Sequence, residues 1–515
     1  MKTIKYTICT VLLSAILIGC SEKFLEESPD NRLQIDSLDK AYELLVYASN
    51  DGSYAFLEQL TDNVGYIAEN SHYPGLDNEL FNWEESQIES QDSPNYYWNN
   101  GYRAIAQANA VLHYIDNLAG NEDYRNHIKG EALLFRAYNH FMLVNIFAKQ
   151  YDTATAPSDQ GIPYVEKLET DLIVSYENNT VQEVYDFIER DMVKGLQLID
   201  DSFITEGKKY HFTKKAAQAF ASRFYLWTGN NQKCIDYSSE VLGGNPEQYI
   251  KDYDKILYAG GADESGVAFI DTGDRSNLMV ARRETGYSLY YNYKDRLTLS
   301  KVYEIYNAQK IGLNADARAQ IIYYGNVDYT SLRIAKNYRY FKRNSLSSNI
   351  GLPYRIDILF RGEEVLLNRA EAYSNLSMTE EGVADLELLL KNRYTDNFAI
   401  LKEFYTWEVY YGFLEDIAGL DRAGVLADLI IKERRREFTE EGMRWFDIKR
   451  YGYSVSRANG NVLTENDTRK ALPIPATAQE ALGINIESDT ETNNNGKLEI
   501  EALITPEFLE LTKNN

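Results

Sequence analysis

A chain of 515 residues has room for about three domains or one large helical one, and its 44% hydrophobic content supplies a substantial core. The formal net charge of −25 repels phosphates and sulfates, which excludes broad binding of nucleic acid, anionic lipid or polyanions unless a local basic patch overrides the field. The 41 tyrosines offer flat faces with a polar tip, suited to stacking on sugars or touching peptides, although most tyrosines simply complete helix and loop packing.

At the N-terminus, Lys2 and Lys5 precede an apolar run from Ile8 to Ile18, interrupted only by Cys9, Thr10 and Ser14. Roughly a dozen apolar residues are too few to span a ~30 Å hydrocarbon layer as a helix, so residues 1–19 read as a secretory signal peptide. Leu17, Ile18, Gly19 and Cys20 resemble a bacterial lipobox, where cleavage precedes the cysteine and its thiol receives lipid, palmitate included. Cys9 leaves with the signal and Cys20 is acylated, so Cys234 stays alone and no intramolecular disulfide is expected. Glu22, Glu26 and Glu27 resemble the export signal of lipoproteins sent to the outer cell surface. The expectation is a lipid-anchored outer-membrane protein facing the exterior, with residues 20–515 as a single domain.

Leu38, Ala41, Leu44, Leu45 and Ala48 predict an amphipathic helix over 36–48. Residues 54–99 are rich in aromatics and polar groups without periodicity and read as long loops, half of a binding surface. Helical spacing returns over 102–118, 129–147 and 180–199, the last opened by a capping box of Thr180 and Glu183. Thr213 opens a helix whose landmarks, Ser222, Tyr225, Gly229, Cys234, Val241 and Pro246, match one tetratricopeptide unit. A weaker copy runs through Ala370, Tyr373, Ser377, Gly382 and Leu389. Between them, 243–351 fills with Gly, Asp, Asn and Tyr and reads as an irregular insertion with short strands and a helix near 299–307. The fold class is therefore mainly α: tetratricopeptide-like helical pairs with a large loop-rich insertion. Residues 471–474 read as extended and 488–497 as a solvated loop.

The stretch KERRREFTEEGMRWFDIKRYG, Lys432 to Gly452, predicts a helix, a break at Gly442 and a second short helix. Its arginines among Glu433, Glu437, Glu440, Glu441 and Asp447 read as an ion-pair lattice over a core, with a ligand-binding arginine cluster as the alternative. Catalytic signatures are lacking. The five histidines form no HExxH or cysteine-paired zinc pattern, and there is no GxSxG elbow, Walker loop or EF-hand spacing. A glycosidase carboxylate pair is defined by distance in space, so composition leaves it open. The expectation is a protein that is not an enzyme and uses no cofactor or metal.

With these features the chain resembles the SusD/RagB family of outer-membrane nutrient-binding lipoproteins. The resemblance rests on ERRREFTEEGMRWFDIKRYG at 433–452, RGEEVLLNRAEAY at 361–373, KGEALLFRAYNHFMLVNIF at 129–147 and LPIP at 472–475. It departs slightly at Lys449, Arg450 and Tyr451, where the family pattern often has an Arg-Trp pair. The resemblance implies a SusD-like fold lying over a SusC-like, TonB-dependent transporter barrel, capturing an oligosaccharide at the cell surface and handing it inward unchanged. Oligopeptide ligands are the alternative, and a surface glycoside hydrolase or a purely structural scaffold the remote ones. The family's ligand residues lie in variable loops, so none is carried over. From the residues themselves the expected stacking faces are Tyr73, Trp83, Tyr96, Trp98 and Tyr287, with Asn70 and Asp77 as polar partners, in ligand-facing parts around 54–99 and 243–351.

Overall fold

Helix formation follows the caps and the apolar spacing. A short α1 (Leu38–Leu44) is capped by the Ser37 hydroxyl and runs into a 3-10 turn over Leu45–Ala48. Then come α2 (Pro74–Phe81), α3 (Pro94–Tyr114), α4 (Glu122–Phe147) and α5 (Val181–Leu198), the last with the Thr180–Glu183 capping box in place. A helical pair follows, α6 (Lys214–Trp227) and α7 (Asn231–Leu242), turned at Gly229 with φ +77°. The second pair is α8 (Gly362–Asn375) and α9 (Thr379–Arg393), turned at Ser377 with φ +59°. The charged stretch forms α10 (Arg422–Glu437) and α11 (Met443–Arg450). The structure, a computed structural model, describes residues 35–65, 74–168, 176–205, 207–286, 297–306, 316–324, 332–346, 348–394 and 422–481. Residues 37–497 cluster as one compact unit.

The centre is α4, in which every side chain from Gly130 to Phe147 is buried. A helix apolar on one face only would not tolerate this, and its polar groups are accordingly matched. Arg136 donates to Asp191 of α5 at 2.7 Å, Asn139 to the Ala48 carbonyl at 2.8 Å, and Glu131 accepts from the Phe212 N–H at 2.9 Å. At the α4–α5 crossing, a Cβ on Gly195 would stand 2.8 Å from the Gly130 carbonyl and 2.7 Å from Leu134. Small residues likewise join α6, α7 and α8, where Ser222 meets Ser238 at 2.8 Å and accepts from Asn368 at 3.3 Å. Cys234 sits there as a buried free thiol, pushed up to about 12 by desolvation, and so is unreactive at neutral pH.

The insertion contributes an antiparallel sheet of β1 (Asn277–Glu284), β2 (Arg339–Arg343) and β3 (Gly351–Arg361), in the order β1-β3-β2. The helix expected near 299–307 is present at Leu299–Ile305. Two expectations change. Residues 54–99 are not all loop: Tyr54–Leu60 is a 3-10 helix, α2 follows, and α3 begins at Pro94 rather than 102. The Ser93 hydroxyl accepts from the Tyr96 N–H and Pro94 occupies the first turn, a start signal hidden by the aromatic run that follows it. In the charged stretch the first helix ends at Glu437, Glu440 takes the left-handed conformation as well, and Gly442 opens α11 instead of closing α10.

The arginines of that stretch are buried or half-buried and engaged in ion pairs. Arg434 meets Asp447 at 3.2 Å, Arg444 meets Asp62 at 2.9 Å, Arg450 meets Glu371 at 2.9 Å, and Arg435 meets Glu304 at 2.9 Å. Glu437 of α10 holds Arg393 of α9 at 2.9 Å and Glu433 holds Arg318 at 2.7 Å. These arginines hold the Glu437 carboxyl far below the usual carboxylate range. Trp445 is fully buried beneath them. The stretch is thus a lattice that locks α8 to α11 together.

Candidate functional site

Three strands bring a row of side chains into register. Glu284 of β1 lies opposite Tyr354 of β3, which lies opposite Tyr340 of β2. Side chains directly opposite across strands share a face, as do residues two apart, so Arg282 joins the row. The Tyr340 and Tyr354 rings stack with centroids 5.3 Å apart and planes 17° apart, and Tyr338 meets Tyr340 edge-on at 5.0 Å. Arg282 lies 5.5 Å above the Tyr354 ring and donates to Glu284 at 2.6 Å.

The first turn of α3 supplies the other wall. Tyr96 donates its hydroxyl to Glu284 at 2.6 Å, and burial together with that carboxylate raises the phenol well above its ordinary range. Asp51 joins from the loop after α1: its carbonyl accepts the Glu284 N–H at 2.6 Å, and its carboxylate lies 3.8 Å from Arg282. Burial and the neighbouring Glu284 push the Asp51 carboxyl upward. Asp92, just before α3 and with φ +67°, accepts the Thr285 hydroxyl and the Gly286 N–H, pinning the end of β1 to the start of α3. Tyr96, Arg282, Glu284, Tyr338, Tyr340 and Tyr354 are all half-buried, so each has part of its surface open to solvent. The arrangement offers ring faces beside a carboxylate, a guanidinium and hydroxyls. It can stack against an uncharged ring and exchange hydrogen bonds with hydroxyls. Among the described residues no group of three or more His, Cys, Asp or Glu is placed to hold a metal ion.

Of the residues expected to bind ligand, Tyr96 stands in this row. Trp83 and Trp98 do not; they are 6% and 4% exposed. The Trp98 ring is packed against Phe147 at 4.9 Å and Tyr102 at 4.8 Å, on the inner face of α3. Trp83 donates its indole N–H to the Leu60 carbonyl at 2.9 Å and lies under Arg457 at 4.6 Å and Arg469 at 5.6 Å. Those contacts hold it at φ +58°, a backbone region that bulky residues avoid, just after α2. Both indoles anchor their segments to the core and present no open face. Asp77 is buried in α2. Asn70, Tyr73 and Tyr287 lie outside the described residues. The sequence reading missed Arg282, Glu284, Tyr340 and Tyr354. Their signal was present as the alternation of β1 and β3, but only pairing reveals that the three strands share a row.

A SusD-like family model described as starch-binding and associating with the outer membrane matches residues 23–226. A SusD-like protein of Formosa agariphila is 24% identical over 511 residues, covering 88% of this chain and 93% of the relative. The chain is thus similar to SusD-like proteins, through the family model over residues 23–226 and through that relative along most of its length. Its SusD-like fold is shared with a SusD superfamily protein of Bacteroides thetaiotaomicron, at TM-score 0.65 and 20% identity over 87% of this chain and 98% of that one. A laminarin-binding SusD-like protein superposes at TM-score 0.56 with 17% identity, over 86% and 96% of the two chains. No helix among the described residues is long and apolar enough to cross a membrane.

Proposed function

We propose that this SusD-like protein captures an oligosaccharide at the cell surface and delivers it, chemically unchanged, to a SusC-like TonB-dependent transporter. The single observation behind the binding part is the row Tyr96, Glu284, Arg282, Tyr354 and Tyr340, half-open and equipped for stacking and hydroxyl recognition. The internal Arg282–Glu284 pair, with Asp51 alongside, leaves the row without a free excess of positive charge, which favours neutral sugars over sulfated or uronic ones. Tyr287, as a further stacking face, and Asn70 and Tyr73 are part of the same proposal. Residues 20–515 act as one domain held by lipid at Cys20 on the outer face of the outer membrane.

Titration calorimetry against neutral glucan oligosaccharides, laminarin-derived ones included, and against oligopeptides tests the reading. A neutral glycan binds, and Tyr354→Ala and Tyr340→Ala each weaken it by about 1–3 kcal/mol, by analogy with bases stacked on aromatic rings. Binding that ignores both substitutions places the site elsewhere. Peptide binding without glycan binding replaces the ligand class, and release of shorter sugars on incubation replaces binding by hydrolysis.

A further inference from the structure

The hairpin of β2 and β3 extends beyond the stacked tyrosines to a turn whose described residues are 344–346 and 348–350, closed by the Asn344 N–H donating to the Ile350 carbonyl at 2.9 Å. Its side chains are unlike those of the surface around them. Leu346 is 100% exposed and Ile350 73%, with Leu352 and Phe341 at 46% and 44% on the strands behind. From Tyr338 to Ile356 the sequence contains Arg339, Lys342, Arg343 and Arg355 and not one Asp or Glu, in a protein of net charge −25. Arg355 is buried against Asp357 and Asn337. Lys342 and Arg343 are exposed at the base of the turn.

We propose that this hairpin is a membrane-contacting finger that inserts its aliphatic tip among the anionic lipid head groups of a bilayer surface. Two exposed aliphatic side chains at a turn, backed by a collar of cations and by a further leucine and phenylalanine, match the polarity gradient of a lipid interface: apolar at depth, positive at the phosphate level. Charge complementarity selects the occupant. The net negative charge of the whole protein repels an anionic surface, but at physiological salt its field decays over about 8 Å, so the groups at the tip decide the contact. The nearest carboxylate on the same sheet face, Glu284, stands opposite Tyr354, three residues back from Gly351, about 10 Å along the strand. A protein partner fits the tip less well, because a stable protein interface takes about 800 Å² from each side, more than a turn with four exposed apolar side chains provides.

The test uses the full chain carrying Cys20→Ala, so that no acyl chain contributes, and compares hairpin variants only within that background. Sedimentation with vesicles of phosphatidylglycerol and phosphatidylcholine is measured against vesicles of phosphatidylcholine alone. The anionic vesicles retain more protein, retention falls with salt, and Lys342→Ala and Arg343→Ala each lower the partition coefficient about fivefold. Leu346→Ser with Ile350→Ser lowers it on both vesicle types, and the emission of Leu346→Trp shifts to the blue on the anionic ones. Circular dichroism checks that the variants remain folded, which the full exposure of Leu346 predicts. Equal partition of parent and variants overturns the proposal. So does a pattern in which the tip variants leave vesicle binding unchanged but lose a copurifying membrane protein, which would make the finger a protein contact.

Discussion

Glu58 is wholly buried between the 3-10 helix that carries it and the turn linking α10 to α11. Its carboxylate accepts from the Asn63 amide at 2.8 Å and from the Glu440 and Gly442 N–H groups at 3.0 Å each. Those donors favour the charged form, yet desolvation and the adjacent Glu440 outweigh them and push the carboxyl up to about 7 from its ordinary 4.5. Between these two values the folded protein keeps a proton that the unfolded chain has already released. Stability therefore falls as pH rises from 4.5 to 7 and levels off above that window. The contribution is on the order of 3 kcal/mol, and Glu58→Gln, which cannot ionise, removes it. Urea midpoints measured at about pH 5 and about pH 7.5 check this: the fall is larger in wild type than in Glu58→Gln, and equal falls would refute the assignment. None of this is legible in the sequence, where Glu58 belongs to no motif and lies far from Glu440 of the charged stretch. The ion pairs of Lys432 to Gly452 were half legible. Alternating charge with aromatics at helical spacing announced a lattice, but the partners Asp62, Glu304, Glu371 and Arg393 come from distant segments.

At the scale of elements, local signals held wherever the chemistry was local. The Thr180–Glu183 capping box, the turn at Gly229 and the two helical pairs stand where spacing and caps placed them. The aromatic stretch 74–99 hid two helices because its apolar positions are not confined to one face, so no period appears. Trp83 and Trp98 misled for the same reason: an indole looks alike in sequence whether it faces solvent or core. The α4–α5 crossing yields a prediction of its own. Gly195→Ala gains about 1 kcal/mol of helix propensity, but the new Cβ would stand 2.8 Å from the Gly130 carbonyl, a backbone atom that cannot swing aside. Overpacking of this kind costs about 1–3 kcal/mol, so the variant is less stable. A lowered urea midpoint at unchanged slope verifies the close approach, and a raised midpoint would show that the helices part freely.

For the whole molecule, the charge of −25 and the N-terminal tetrapeptide make separable statements. The charge disfavours polyanions everywhere except at the β2–β3 hairpin, where the exposed Lys342 and Arg343 reverse its sign locally. The tetrapeptide predicts acylation. Radiolabelled palmitate supplied to cells producing the protein labels wild type and spares Cys20→Ala; equal labelling, or none, removes the proposed anchor. Two acyl chains would contribute about 0.8 kcal/mol per buried methylene, far more than a hairpin tip, so with the proposed anchor the lipid retains the protein and the finger orients it.

By itself the sequence determined the helical pairs, the caps and the resemblance to the SusD/RagB family, because each is written in residues a few positions apart and governed by helix periodicity and backbone conformation. Only the tertiary structure decided which aromatics are open. Register across three strands joins Glu284, Tyr354 and Tyr340, and Tyr96 reaches Glu284 from a helix 188 residues earlier, while core packing withdraws Trp83 and Trp98. Exposure is a property of what lies opposite a side chain, and that neighbour is chosen by the fold.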